Sequence, residues 1–202
     1  MCIRDRPPEA GRGHQLVDPS ERVVTPALCD PSVRDMVVAD LGAVLAIDEE
    51  VYPRPWSPAF FRQQLALPET RVNRVAEIDG RVVGHAGLMM VADQGHVTTL
   101  AVHPEIQGSG IGTRLMADLC RAAVERRLVT ITLEVRVSNL RARELYSRFG
   151  FIPAGAQSGY YSDTGEDALF MQVDGLTGPA FMARVEAASD TGAQTGGGSG
   201  SG

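Results

Sequence analysis

The chain has 202 residues, is 44% hydrophobic and carries a net charge of −6, its 19 cations all being arginine. That length suits one domain with flexible ends and a sizeable core, and an acidic balance argues against a general nucleic-acid binder, whose surface would be basic. No apolar run reaches the ~18–20 residues of a membrane helix and no signal peptide is evident, so a soluble cytoplasmic protein with no membrane partner is expected.

Residues 1–31 are rich in Pro, Arg, Gly and Asp, lack sustained periodicity, and read as a disordered N-terminal extension. The opening Met-Cys-Ile-Arg-Asp-Arg looks like translated adapter sequence rather than native protein. The folded part starts near Ser32, with a short strand at Val33–Val38. Asp40 is placed to cap a helix whose Leu41, Val44, Leu45 and Ile47 share a face. The prolines of Tyr52-Pro53-Arg54-Pro55-Trp56 break it. Ser57 then caps a second helix with Pro58 at its first position, carrying Phe60, Phe61 and Leu65 and stopping before Pro68. Strands Arg71–Ile78 and Arg81–Val91 are joined by Asp79-Gly80, a strong hairpin turn. A strand at Gly95–His103 leads to a glycine-rich turn and a long helix, roughly Gly110–Arg126, with Ile111, Leu115, Leu119 and Ala122 on one buried face. Val129–Val135 is a strand, Ser138 caps a helix that Gly150 ends, and Phe151–Gln157 and Asp167–Val173 finish as strands. Residues 177–202, rich in Gly, Ser and Thr from Ser189 onward, read as a flexible tail. The order β-α-α-β-β-β-α-β-α-β-β predicts an α/β fold on a mixed sheet.

The glycine-rich turn is Gln107-Gly108-Ser109-Gly110-Ile111-Gly112. Its alternate glycines let backbone approach a ligand closely, and the first-turn amides of the following helix have no intrahelical partner. Together they make an anion site suited to a phosphate or pyrophosphate. A P-loop would end in Gly-Lys-Ser/Thr, but the chain has no lysine. A dinucleotide fingerprint starting at Gly108 is broken at Thr113. Cys2, Cys29 and Cys120 have neither disulfide-framework nor zinc spacing, and His14, His85, His96 and His103 read as scattered surface or turn residues, so no metal site is expected.

Gln-x-x-Gly-x-Gly after a strand resembles the acetyl-CoA pyrophosphate loop of the GNAT acetyltransferase superfamily, and the element order is also the GNAT order. The resemblance spans about residues 33–174 and is nearest to the bacterial RimI-type alanine N-acetyltransferases. It is carried by Pro55-Trp56-Ser57, Leu100-Ala101-Val102-His103-Pro104, Gln107 to Gly112, Leu133-Glu134-Val135-Arg136, Ser138-Asn139, Ala142, Leu145-Tyr146, Gly150-Phe151, Tyr160-Tyr161 and Glu166-Asp167-Ala168. It implies a GNAT domain over residues 32–176, a mixed and mostly antiparallel sheet flanked by about four helices. It implies acetyl-CoA as cosubstrate and, as partner, the N-terminal peptide of a small-subunit ribosomal protein, acetylated on its alanine amine. It also implies that Leu100, Ala101 and Val102 offer backbone groups to the pantetheine arm in a gap between splayed strands, with an amide near Val102 polarising the thioester. Gly108, Ser109, Gly110, Ile111, Gly112 and Thr113 would hold the pyrophosphate. Asn139 would contact the cofactor and Tyr146 would protonate its sulfur. Arg54, Trp56, Tyr160 and Tyr161 would line the acceptor side.

The residues themselves leave alternatives beside these roles. Strand alternation puts Glu134 on the face of Thr130 and Thr132, where an ordinary carboxylate of pKa ~4.3 is ionised and can act as a base. The competing role is a solvated charge paired with Arg136 or Arg143. Asn139 and Tyr146 are seven apart on one helix, so they share a face with Ala142 between them. A phenol of pKa ~10 lies close enough to a thiol at ~8.5 to donate a proton. Tyr146 could equally be half-buried packing, Asn139 a helix-start cap, and Trp56 a core anchor. Competing functions are a small-molecule amine, antibiotic or lysine acetyltransferase, and a non-catalytic acetyl-CoA-binding module, which would need neither Glu134 nor Tyr146.

Overall fold

The computed structural model describes residues 31–194, and the expectations for residues 1–30 and 195–202 lie outside them. Its elements are β1 (Ser32–Asp35), α1 (Leu41–Val51), α2 (Pro58–Leu65), β2 (Arg71–Ile78), β3 (Arg81–Val91), β4 (Gln94–Val102), α3 (Ile111–Glu125), β5 (Thr130–Arg136), α4 (Leu140–Arg148), β6 (Ile152–Tyr161), β7 (Glu166–Asp174) and α5 (Pro179–Gln194). The strands form one sheet in the order β1-β2-β3-β4-β5-β7-β6. Every neighbouring pair is antiparallel except β4 with β5.

Local chemistry sets several of these boundaries. Asp79 and Gly80 both take positive φ, 50° and 77°, as the tightest hairpin turns require. Ser57 Oγ accepts the Phe60 amide at 3.2 Å, and Pro58 opens α2. Ile111, Leu115, Leu119 and Ala122 of α3 are all buried. β2 alternates between two cores: Val72 and Ala76 join the α3 side, while Val75 packs with Leu41, Val44 and Phe61 of α1 and α2. The sheet is therefore the middle of three layers.

Four expectations are corrected. There are five α-helices among the described residues, because the stretch expected to be a flexible tail from residue 177 contains α5. Phe181, Val185 and Ala188 recur at intervals of four and three, share one helix face, and are buried in the main core. Composition hid this periodicity. Ser138 does not cap α4; Asn139 does, its Oδ1 accepting the Ala142 amide at 3.1 Å. Asp40 makes no side-chain cap to α1, since its carboxylate is held by Arg34 and the Val37 amide. Finally, β1 ends at Asp35, and Val38–Asp40 is a short 3-10 turn leading into α1.

The parallel pair positions the site. Its register covers only Gln94 with Thr130, Gly95 with Ile131 and His96 with Thr132. Beyond that point β4 stays paired to β3 as far as Val102, and β5 stays paired to β7 as far as Arg136. A gap thus opens between β4 and β5 just past His96 and Thr132.

Candidate active site

The gap has one exposed backbone edge. The His103 amide donates to the Val83 carbonyl at 2.9 Å, so His103 and Ala101 turn their peptide groups toward β3, and Leu100 and Val102 turn theirs toward the gap. There the Leu100 carbonyl accepts the Tyr52 hydroxyl at 3.1 Å, and the Val102 carbonyl accepts Gln107 Nε2 at 3.1 Å. The Val102 amide lies on the same edge. Ala101 is buried and faces the other way, which leaves it a spacer.

At the glycine loop, Gly108 and Gly110 have φ of 95° and 85°. Gly110 is the N-cap of α3, with no side-chain cap and no acidic residue in the first turn. The ladder begins with the Arg114 amide on the Gly110 carbonyl, so the amides of Ile111, Gly112 and Thr113 have no intrahelical acceptor. The side chains of Ile111 and Thr113 are buried, and Ser109 Oγ donates to the Ile106 carbonyl at 2.7 Å. Ile111 and Thr113 can therefore serve an anion through backbone only, while the Ser109 amide also donates to the Ile106 carbonyl, at 3.3 Å, and is not free for one. The Arg141 guanidinium on α4 stands over the loop, a cation that sequence reasoning missed. Glycine cradle, helix N-terminus and guanidinium together fit a pyrophosphate.

Glu134 sits at the mouth of the gap, its side chain 22% exposed. Neither expected arginine covers it. Arg136 pairs with Asp163 at 2.7 Å and Glu166 at 3.4 Å, and Arg143 Nη1 donates to the Val137 carbonyl. The partner is His96, whose Nε2 lies 3.1 Å from Glu134 Oε2 and whose Nδ1 lies 3.0 Å from Thr132 Oγ1. The reading of the histidines as scattered surface residues is therefore corrected. His85 is fully buried with Nε2 2.7 Å from Asp48 Oδ1, and His103 lies 3.6 Å from Glu50. His14 lies outside the described residues. Only the register of β4 on β5 could have revealed the His96 pair.

All four tyrosines of the chain gather here. Tyr52 reaches the gap at Leu100, and burial first, then the neighbouring Tyr146, pushes its phenol upward. Tyr146 is buried, and desolvation followed by Tyr161 pushes its phenol up to about 12. That exceeds the ordinary value assumed from sequence. Tyr160 is raised by burial and then by Glu134. Tyr161 is raised mainly by burial, against the Arg136 guanidinium lying 3.9 Å over its ring. The rings of Tyr160 and Tyr161 meet edge to face at 5.1 Å. Arg54 Nη1 donates to Ser162 Oγ at 2.9 Å, tying the α1–α2 loop to the β6–β7 turn. Trp56 is 43% exposed and stacks on Phe60 at 4.1 Å, so it is a surface platform rather than a core anchor. Asn139 spends its side-chain oxygen on the α4 cap. Among the described residues no group of three or more His, Cys, Asp or Glu could hold a metal ion, and no helix is long and apolar enough to cross a membrane.

A mixed sheet that parts at its one parallel pair, with an anion loop at the head of the next helix, defines an acetyl-CoA-dependent N-acetyltransferase. The chain belongs to the acetyltransferase (GNAT) family, which matches it over residues 41–151. It is 36% identical over 140 residues to the N-alpha-acetyltransferase RimI of Mycobacterium tuberculosis, covering 67% of this chain and 84% of that one. It is 30% identical over 142 residues to the ribosomal protein bS18-alanine N-acetyltransferase of Escherichia coli K12, covering 69% and 95%. The crystal structure of the Escherichia coli ribosomal-protein-S18-alanine N-acetyltransferase superposes with a TM-score of 0.66 at 29% identity, over 72% of this chain and 94% of that one.

Proposed function

We propose that this protein moves the acetyl group of acetyl-CoA onto the α-amine of an N-terminal alanine of a small-subunit ribosomal protein. The observation that carries the reading is Glu134 at the mouth of the β4–β5 gap, near enough to Tyr160 and Tyr161 for its charge to raise their phenols, with Tyr146 in turn near Tyr161. The names of the M. tuberculosis and E. coli relatives support the substrate class.

Bound acetyl-CoA supplies the activated acetyl group. The glycine loop, the α3 amides and Arg141 hold its phosphates, and the Val102 amide donates to the thioester oxygen as negative charge builds there. Glu134 takes the proton of the attacking amine. Tyr146 stays protonated at neutral pH and donates to the departing sulfur. At about 12 its phenol is a weaker acid than a thiol at ~8.5, so full transfer to a relaxed thiolate is uphill by roughly 5 kcal/mol. The fitting role is a hydrogen bond that strengthens as the C–S bond breaks, completed by proton return from the base side. Arg54, Trp56, Tyr160 and Tyr161 bound the entrance for the peptide.

Amine basicity favours an α-amine over lysine. At pH 7 roughly one α-amine in seven is neutral at pKa ~7.8, against about one lysine in 2,500 at ~10.4. A small first side chain suits a slot beside two tyrosine rings. The test is turnover on an Ala-starting ribosomal peptide, its Nα-blocked lysine-containing counterpart, and polyamines, with mass spectrometry locating the acetyl group. The free α-amine is expected to win by at least ~100-fold in kcat/KM. Equal rates, acetyl on lysine alone, or preference for polyamines would assign a lysine or small-amine acetyltransferase instead.

A further inference from the structure

We propose that Tyr52 and Gln107 are positioning residues for acyl transfer. Each donates a hydrogen bond to one of the two backbone carbonyls that flank the Val102 amide, and together they turn a mixed strand edge into a donor site for the thioester oxygen. The inference rests on the role proposed for the Val102 amide and names the groups that make that amide effective.

The need for them follows from the backbone. A strand edge alternates amides and carbonyls. Along the gap the order is Leu100 N–H, Leu100 C=O, Val102 N–H, Val102 C=O. An oxygen bound at the Val102 amide therefore has a carbonyl oxygen on either side. As the thioester oxygen gains negative charge, both neighbours oppose it, and a part-buried gap of low dielectric strengthens the opposition. Tyr52 Oη lies 3.1 Å from the Leu100 oxygen and Gln107 Nε2 lies 3.1 Å from the Val102 oxygen. A carbonyl oxygen can only accept, so both bonds have one possible direction. The two donors offset the flanking negative charge. They also fix the peptide groups on either side of Val102, which sets the direction of its N–H.

Both donors are themselves held. Tyr52 follows α1, and its amide donates to the Asp48 carbonyl at 2.8 Å. The Asp48 carboxylate lies 2.7 Å from His85 Nε2, both side chains being fully buried. His85 is in register with Ala101, the residue between Leu100 and Val102. The last turn of α1 is thus tied to β3 beside the edge that Tyr52 caps. Burial first, then Tyr146, keeps the Tyr52 phenol protonated and a donor. Gln107 heads the anion loop, and its amide closes the short turn Pro104–Ile106 on the Pro104 carbonyl at 3.3 Å. Its side chain reaches back to β4 and is spent on Val102 rather than on the anion. The loop that holds the phosphates therefore also fixes the amide that meets the thioester.

The experiment compares wild type, Tyr52→Phe and Gln107→Met. Acetyl-CoA isotopically labelled at its thioester carbonyl is bound without acceptor, and isotope-edited infrared spectroscopy reads the carbonyl stretch. Calorimetry reads CoA affinity, and kcat is measured with an Ala-starting peptide. In wild type the bound stretch is expected below that of free acetyl-CoA, because the Val102 amide polarises the bond. Each variant is expected to recover part of that lowering and to lose roughly five- to tenfold in kcat, the worth of one neutral hydrogen bond, with CoA affinity unchanged. A wild-type stretch in a variant, whether its turnover is normal or slow, would overturn the assignment of that residue. Loss of CoA affinity in Gln107→Met would return Gln107 to the anion loop. A stretch lowered in wild type and equally in both variants sinks this inference alone. No lowering in wild type removes the Val102 donor and this inference with it. The infrared measurement needs no acceptor, so its outcome stands apart from the identity of the peptide.

Discussion

Nη2 of Arg141 lies 2.8 Å from the point where a β-carbon on residue 108 would sit, so the guanidinium occupies the space that Gly108 leaves over the anion loop. A fixed cation above a positive-φ glycine and beside the free amides of α3 is a receptor for phosphate oxygens. Arg141→Gln is expected to weaken acetyl-CoA binding roughly ten- to hundredfold, the worth of a charge-assisted hydrogen bond, and to flatten its salt dependence. Gly108→Ala, strained at φ 95° and crowding Arg141, is expected to weaken it by at least as much. Calorimetry across a salt series checks both, and unchanged affinity in Arg141→Gln would return that residue to the solvent.

Chemistry separates from binding at Glu134 and Tyr146. Glu134→Gln keeps the shape but cannot accept a proton, so kcat is expected to drop by about 10²-fold or more with acetyl-CoA affinity intact. Tyr146→Phe leaves the buried ring and removes the donor, and a comparable drop in kcat is expected. If Tyr146→Phe instead shifts only the melting temperature, the tyrosine is packing.

Alkaline pH tests the buried acids. Burial raises the Tyr146 phenol from 10.0 to about 12 and the Cys120 thiol from 9.0 to about 12. Both groups are neutral in the folded state where the unfolded chain would ionise. Their stabilisation is complete below the unfolded values and is lost as pH rises from about 9 through 12, where the folded groups ionise too. Melting temperature is expected to fall over that window, Tyr146 accounting for up to roughly 3 kcal/mol. Tyr146→Phe and Cys120→Ala should each make the fall shallower; identical slopes would contradict the buried, neutral assignment.

Helix α5 belongs to the folded domain. Phe181, Val185 and Ala188 are buried with α3 residues in the main core. Phe181→Ala is expected to cost about 3–5 kcal/mol, which for a chain of this size lowers the melting temperature by roughly 10 °C. Truncation after Gly178 should cost more. Melting curves that match wild type in both variants would restore the flexible-tail expectation.

Sequence alone determined what depends on near neighbours. The order of the strands and first four helices, the Asp79-Gly80 turn, the Ser57-Pro58 start of α2, the buried face of α3 and the anion loop all follow from spacing and turn chemistry within a few residues. Alternation also placed Glu134 opposite Leu133 and Val135, which are buried where Glu134 is not. The tertiary structure decided which side chain meets Glu134, how high Tyr146 is raised, what stands over Gly108, and whether the C-terminal segment docks. Each joins residues from different elements. The His96–Glu134 pair exists because the parallel ladder stops at His96 and Thr132 and leaves Glu134 at the opening. Parallel register is set by the packing of the whole crossover through α3, and no turn within reach of either strand encodes it.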